Sequence, residues 1–133
     1  MTRVPSGITV LVVEDEAIIA ADLEFMLRRL GYTPVGTATS GEEAIQKARQ
    51  LGPHVVLMDV QLHGQLNGIQ AAQQIRAARN IAIVYVTAHN RIASADLQPG
   101  FRCIGKPFTP GDLRTAIELV LAEIGAGGAG VTA

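Results

Sequence analysis

The amino-acid sequence predicts an α/β fold in which five parallel strands form a doubly wound sheet. Two observations lead to this class. Short, almost entirely apolar segments recur along the chain, among them 8–13, 55–58 and 81–86, and such strands are typical of parallel sheets buried on both faces. Amphipathic segments with helical spacing lie between them, as expected of helices that cover such a sheet. At 133 residues the chain is long enough for about one domain.

The first half of the chain contains two predicted strands and two predicted helices. Residues 8–13 form the first strand, and the helix after it has an apolar face made of Ile19, Leu23, Met26, Leu27 and Leu30. Residues 33–38 form the second strand. The Ser-Gly-Glu-Glu sequence at 40–43 resembles a capping box and begins the second helix. The buried residues of this helix are expected to be Ala44, Ile45, Ala48 and Leu51.

The second half repeats this alternation. The third strand runs through 55–58 and ends at Asp59, and Asn67 is expected to cap a helix that buries Ile69, Ala72 and Ile75. Residues 81–87 form the fourth strand, a short helix covers about 90–97, and residues 101–105 form the fifth strand. Thr109 caps the last helix, whose inward side chains are Leu113, Ile117, Val120, Leu121 and Ile124.

These elements divide the chain into a leader at 1–7, one folded domain at 8–124 and a flexible Gly/Ala-rich tail at 125–133. A net charge of −1 and a pI near 6.3 provide no overall basic field for nucleic acid or a membrane surface. No apolar segment approaches the roughly 18 residues of a membrane span. The leader lacks a secretory signal, and the single cysteine, Cys103, cannot form an internal disulfide. A cytoplasmic protein is expected.

Polar residues that can carry chemistry stand at the carboxyl ends of the predicted strands, where sites in such sheets lie. They are Glu14 and Asp15 after the first strand, Asp59 after the third, Thr87 at the end of the fourth and Lys106 after the fifth. Carboxylate oxygens suit Mg²⁺, and a lysine and a hydroxyl suit phosphoryl oxygens. The residue types therefore indicate a site that moves a phosphoryl group, with an aspartate able to accept it covalently.

On these residues the chain resembles the receiver domains of response regulators, the phospho-accepting partners in two-component signalling. The resemblance covers residues 8 to about 124 and implies a CheY-like (βα)5 fold with strand order 2-1-3-4-5. It identifies Asp59 as the phosphoacceptor, Thr87 as the switch hydroxyl, and Lys106 as the lysine that precedes Pro107 in the family's Lys-Pro-Phe sequence. A cis peptide bond before Pro107 is also implied.

The resemblance implies further roles around Asp59. Mg²⁺ or Mn²⁺ would be bound by Glu14, Asp15, Asp59 and the main-chain carbonyl of Gln61. The phosphoryl group would be held by Thr87, the main-chain N–H of Ala88 and Lys106. It would come from a sensor histidine kinase or a histidine phosphotransfer protein. The domain would not be an enzyme, although it would assist its own phosphorylation and dephosphorylation, and it would signal to a protein target as a monomer or weak dimer.

The sequence departs from the family pattern in several places. Glu14 replaces the usual aspartate. In the loop after Asp59, His63 replaces a common proline and Gly68 lies one residue later than usual. Cys103 stands where the aromatic switch residue is expected, and Phe101 is expected on the opposite face of its strand.

The segment between Thr87 and Lys106 is a few residues shorter than is typical of the family, which would truncate the fourth helix. This departure and Cys103 both fall on the face that most receivers use for output, so that face is expected to signal differently from that of chemotaxis-type regulators. Gln61 and His89, each two residues past a site residue, are candidates for tuning the lifetime of the phosphoryl group.

Other functions remain open at this point. The chain could be a degenerate receiver that binds a partner without being phosphorylated, or a receiver from a hybrid kinase or multidomain regulator. With only the glycine-alanine tail after Ile124, a stand-alone receiver is expected. A haloacid-dehalogenase-type phosphatase would need a second aspartate where Gln61 stands. A flavodoxin would need a phosphate-binding loop where Glu14 and Asp15 stand.

Overall fold

The computed structural model describes residues 7–62, 64–88 and 99–127. The elements are β1 (Thr9–Val13), α1 (Ala17–Arg29), β2 (Thr33–Ala38), α2 (Gly41–Leu51), β3 (Val55–Asp59), α3 (Gly68–Ala78), β4 (Ala82–Thr87), β5 (Phe101–Gly105) and α4 (Pro110–Gly127). All strand pairs are parallel, in the order β2-β1-β3-β4-β5. The predicted fold class and strand order are confirmed. The helix predicted at about 90–97 lies outside the described residues.

The helices begin where their capping residues predict. The Ser40 hydroxyl accepts a hydrogen bond from the Glu43 N–H at 3.1 Å, but the Glu43 carboxylate accepts from the Thr39 N–H at 2.7 Å and so does not close the expected capping box. Asn67 and Gln70 do form a complete capping box at the start of α3. These bonds satisfy amide groups that a helix leaves without partners in its first turn.

The last helix is capped at its start and is longer than predicted. The Thr109 hydroxyl accepts from the Asp112 N–H at 3.0 Å, and the Asp112 carboxylate accepts from the Thr109 N–H at 2.9 Å. The helix continues to Gly127, past the predicted boundary at Ile124. The prediction ended it at the last inward apolar side chain, but backbone hydrogen bonding need not stop where the apolar stripe stops.

Two hydrophobic cores form, one on each face of the sheet. Strand alternation directs Val10 and Val12 to the core under α1 and α4, and Leu11 and Val13 to the core under α2 and α3. The predicted inward faces lie in these cores with one exception. Leu51, the last residue of α2, is 44% exposed, although its Cδ1 lies over the backbone of Gly36.

The prediction that Phe101 faces away from Cys103 is wrong. Both side chains pack in the core under α2 and α3, because residues two apart on a strand point to the same face. Ile104 packs in the other core. Among the described residues, the helices include none that is long and apolar enough to cross a bilayer.

Candidate phosphoryl and metal site

Three carboxylates meet at the carboxyl edge of the sheet. β1 and β3 are paired neighbours with Val13 beside Met58, so the residues that follow each strand are brought together. One carboxylate oxygen from each of Glu14, Asp15 and Asp59 lies within 4.8 Å of the other two. Three negative charges this close repel one another unless a proton or a cation is present.

Glu14 is the more deeply buried of the two acids after β1, with 3% of its surface exposed. Its backbone N–H donates to the Ala38 carbonyl at 2.9 Å, and its Oε2 accepts from the Glu16 N–H at 3.1 Å. Burial raises the pKa of Glu14 to about 7, and the charge of Asp59 adds to this effect. Lys106, with Nζ 3.8 Å from Oε1 of Glu14, opposes the rise in pKa without cancelling it.

Asp59 ends β3 with 8% of its surface exposed. Its Oδ1 accepts a hydrogen bond from the Gln61 N–H at 3.0 Å, which holds the carboxylate in place. Burial raises the pKa of Asp59, although the Gln61 N–H and the Lys106 charge act in the opposite direction. Ionising Asp59 or Glu14 therefore costs free energy in the folded domain, and a bound cation would offset this cost.

The ends of β4 and β5 bring the other two residues to the same edge. Thr87 pairs with Gly105 in the sheet, and the Lys106 N–H donates to the Thr87 carbonyl at 3.0 Å. Thr87 is buried, with 4% exposed. The Lys106–Pro107 peptide bond is cis, as the resemblance implied.

A cleft of about 350 Å³ opens over the carboxylates. Its walls come from the end of β3 and from the segments that follow β1, β3, β4 and β5, together with the start of α1. They are Glu14, Asp15, Glu16, Ile19, Asp59, Gln61, Leu62, Ala88 and Lys106. Gln61 and Ala88 thus line the same cleft as the acids. His63 and His89 lie outside the described residues.

Cys103 lies away from this cleft. It is half-buried on β5 opposite Tyr85, and burial raises the pKa of its thiol. A raised pKa lowers the fraction of reactive thiolate. This is consistent with a packing role.

Gly68 is a site residue whose role the sequence analysis missed. It begins α3, and its N–H donates to the Val60 carbonyl at 3.0 Å. A Cβ added at Gly68 would lie 2.1 Å from the carbonyl oxygen of Asp59, far inside van der Waals contact. Most residues stabilise a helix better than glycine does. A glycine directly after the capping residue Asn67 was therefore the sequence signal that the backbone of α3 passes close to Asp59.

Fold and site together define a domain for phosphoryl signalling, and comparison with known proteins agrees. The model of the response regulator receiver domain family matches residues 10–118. The chain belongs to this family, and the predicted identification is confirmed.

Among curated proteins, the transcriptional regulatory protein PdtaR of Mycobacterium tuberculosis is 41% identical over 120 residues, covering 86% of this chain and 57% of PdtaR. The phyllosphere-induced regulator PhyR of Methylorubrum extorquens is 30% identical over 115 residues, covering 84% of this chain and 43% of PhyR. The chain therefore spans about half the length of these relatives.

Solved receiver domains have the same fold. The signal receiver domain of a modulated diguanylate cyclase from Desulfovibrio desulfuricans G20 superposes with a TM-score of 0.78 at 31% identity, covering 90% of this chain and 97% of that one. The anti-anti-sigma factor PhyR from Bartonella quintana gives a TM-score of 0.77 at 30% identity, covering 92% of this chain and 51% of that one.

Proposed function

We propose that this receiver domain accepts a phosphoryl group on Asp59 from a phosphohistidine of a partner protein. The observation that carries the proposal is the position of Asp59, which ends a buried strand with two other carboxylates within 4.8 Å and Lys106 in the wall of the same cleft. The partner would be a sensor histidine kinase or a histidine phosphotransfer protein, and the downstream target would be another protein.

The residues around Asp59 fit a hard divalent cation such as Mg²⁺ or Mn²⁺. All three cluster members offer carboxylate oxygens, which Mg²⁺ prefers, and the pKa values of Glu14 and Asp59 are raised in the cation's absence. Glu14, Asp15, Asp59 and the Gln61 carbonyl would hold the ion. When bound, it would neutralise charge on the carboxylates and on the phosphoryl oxygens.

In the transfer, an oxygen of the Asp59 carboxylate attacks phosphorus and forms the acyl phosphate bond. The bond between phosphorus and the donor's imidazole nitrogen breaks, and that nitrogen keeps the electron pair and later takes a proton from water. The Gln61 N–H, 3.0 Å from Oδ1, holds the carboxylate in one orientation during the attack. The Lys106 ammonium stabilises charge on the transferring oxygens.

The acyl phosphate then supplies new acceptor oxygens beside Thr87. A hydrogen bond from its hydroxyl to a charged phosphoryl oxygen contributes roughly 1.5–3 kcal/mol. That is about tenfold to a hundredfold in a conformational equilibrium, enough to make a minor conformation dominant. Gln61 and His89 are proposed to tune how long this state lasts by controlling the approach of water. The domain acts as a phospho-accepting signalling module and not as an enzyme with a free substrate.

The decisive experiment is incubation with Mg²⁺ and acetyl phosphate, followed by intact-mass measurement. We expect one phosphoryl adduct on the wild-type domain and none on Asp59→Asn. Asp112→Asn, an exposed acid in the first turn of α4, is the matched control and should be modified like the wild type. An adduct that survives Asp59→Asn, or no adduct on the wild type at any Mg²⁺ concentration, would overturn the proposal.

A further inference from the structure

The aromatic ring of Phe101 is held between a second ring and a guanidinium group. It stacks against Tyr85 with 5.9 Å between ring centroids and 22° between ring planes. The Cζ of Arg76, which comes from α3, lies 4.8 Å from the Phe101 centroid. Stacked rings and a cation over an aromatic face are both attractive arrangements, so these three side chains form a continuous column, called here the Arg76 column.

The Arg76 column is hydrogen-bonded to the turn at Pro99 and Gly100, called here the corner, which leads into β5. Nη1 of Arg76 donates to the Pro99 carbonyl at 3.2 Å. The Gly100 N–H donates to the Glu123 carboxylate at 2.8 Å, and the same carboxylate accepts from Arg102 at 2.9 Å. Side chains from α3 and α4 therefore both form hydrogen bonds with the segment 99–102.

Glycine is required at this corner. Gly100 has φ +89, a left-handed conformation that other residues adopt at a cost. An added Cβ would lie 2.4 Å from Nη1 of Arg76 and 3.0 Å from Ile124. The backbone of Gly100 passes close to the Arg76 guanidinium because no side chain separates them. A movement of the guanidinium would therefore displace the backbone at Gly100 directly.

At its other end the Arg76 column begins on β4, the strand that ends at Thr87, the proposed switch residue. Tyr85 and Thr87 are two residues apart on β4 and so share a face of the sheet, and Tyr85 is fully buried. Opposite them on β5, Cys103 pairs with Tyr85 and Gly105 pairs with Thr87. These two positions on β5 thus carry a small side chain and a glycine, and the only aromatic residue of β5 is Phe101.

We propose that Arg76 is a positioning residue for the phosphorylation switch, acting on Thr87 through Phe101 and Tyr85. A shift of Thr87 towards a phosphoryl group moves the end of β4, and the close-packed rings transmit that shift because a packed core does not absorb it. The half-buried Arg76 guanidinium then shifts across the Phe101 ring. Its hydrogen bond to the Pro99 carbonyl changes as a result. The signal leaves at residues 99–102 and α3, and no aromatic side chain is needed at Cys103. This inference rests on the proposed function.

The test compares the phosphorylated and free domain by amide exchange, read at Gly100, whose N–H bonds to Glu123. In the wild type, acetyl phosphate with Mg²⁺ should change the Gly100 exchange rate about fivefold or more, as expected for a coupled pair of sites. Arg76→Gln removes the charge from the ring and should reduce this change to less than about twofold. Arg76→Lys keeps a cation over the ring and should restore part of it.

Arg79→Gln is the matched control, because Arg79 is an exposed arginine at the end of the same helix. Its amide exchange at Gly100 should respond like that of the wild type. Intact-mass measurement should show a phosphoryl adduct on every variant. Phe101→Leu, which removes the ring and keeps an apolar side chain, should reproduce Arg76→Gln and serves if that variant does not fold. An adduct with no change at Gly100 in the wild type, or a full change in both Arg76→Gln and Phe101→Leu, overturns this inference alone. No adduct on the wild type overturns the proposed function with it.

Discussion

Replacing Glu14 with glutamine should stabilise the metal-free domain at high pH and leave its stability unchanged at low pH. Burial raises the pKa of Glu14 from 4.5 to about 7. Below pH 4.5 the carboxyl is neutral in both the folded and the unfolded chain, so it contributes no difference. As pH rises towards 7, the unfolded chain ionises first, and folding must then either retain the proton or bury the charge.

The magnitude follows from the size of the pKa shift. At ~1.4 kcal/mol per pH unit, a rise from 4.5 to about 7 costs the folded state about 3 kcal/mol once pH exceeds the folded pKa. Glutamine carries no charge, and its side-chain oxygen can still accept from the Glu16 N–H. The stability gain of Glu14→Gln should therefore grow from near zero at pH 4.5 to at most about 3 kcal/mol at pH 8.

Urea unfolding in EDTA at pH 4.5, 6 and 8 measures this difference. Glu16→Gln is the matched control, since Glu16 is exposed and its replacement should leave stability unchanged at every pH. Added Mg²⁺ should reverse the order at pH 8, because a cation bound only to the folded wild type stabilises it by mass action. If Glu14→Gln gained the same stability at pH 4.5 and pH 8, or lost stability at pH 8 in EDTA, the electrostatic explanation would be wrong.

Three further predictions concern the packing and charge around the cleft. Gly68→Ala places a Cβ 2.1 Å from the Asp59 carbonyl oxygen and should cost about 1–3 kcal/mol in urea unfolding and slow phosphoryl uptake. Gly111→Ala, where the nearest contact is an ordinary 3.7 Å, should do neither. Lys106→Ala should slow adduct formation from acetyl phosphate about tenfold or more and tighten Mg²⁺ binding in calorimetry, because it removes a competing cation. Leu27→Ala, at a fully buried position, should cost about 2–5 kcal/mol in urea unfolding and leave Mg²⁺ binding intact.

The fold could be predicted because local signals and the global pattern agree. Apolar runs of four to six residues have no polar face to expose to water. A parallel sheet with helices on both sides is the arrangement that buries both faces of such strands. The capping residues Ser40, Asn67 and Thr109 marked three helix starts because their side chains satisfy backbone amides next to them in sequence. The error at Leu51, which is 44% exposed, concerns burial, which a helical pattern alone does not determine. The error at Phe101 was local, because residues two apart on a strand share a face.

The site could be predicted as a set of residue types but not as a geometry. That Glu14, Asp15 and Asp59 meet follows from parallel strands ending at one edge. That Glu14 and Asp59 are the buried members of the cluster, and that burial raises the pKa of Glu14 to about 7, depends on packing between segments that are distant in sequence. The Arg76 column depends on residues of α3, β4 and β5 whose contacts no local pattern contains.

Burial of two acids gives the cleft an electrostatic balance that the proposed cation and the proposed phosphoryl group would both change. Burial raises the pKa of both Glu14 and Asp59, so the free domain carries acids that are costly to ionise. A divalent cation at these oxygens would reduce that cost, and a phosphoryl group on Asp59 would replace one carboxylate with new acceptor oxygens. Because each ligand changes the same balance of charge, cation binding and phosphorylation should be energetically coupled.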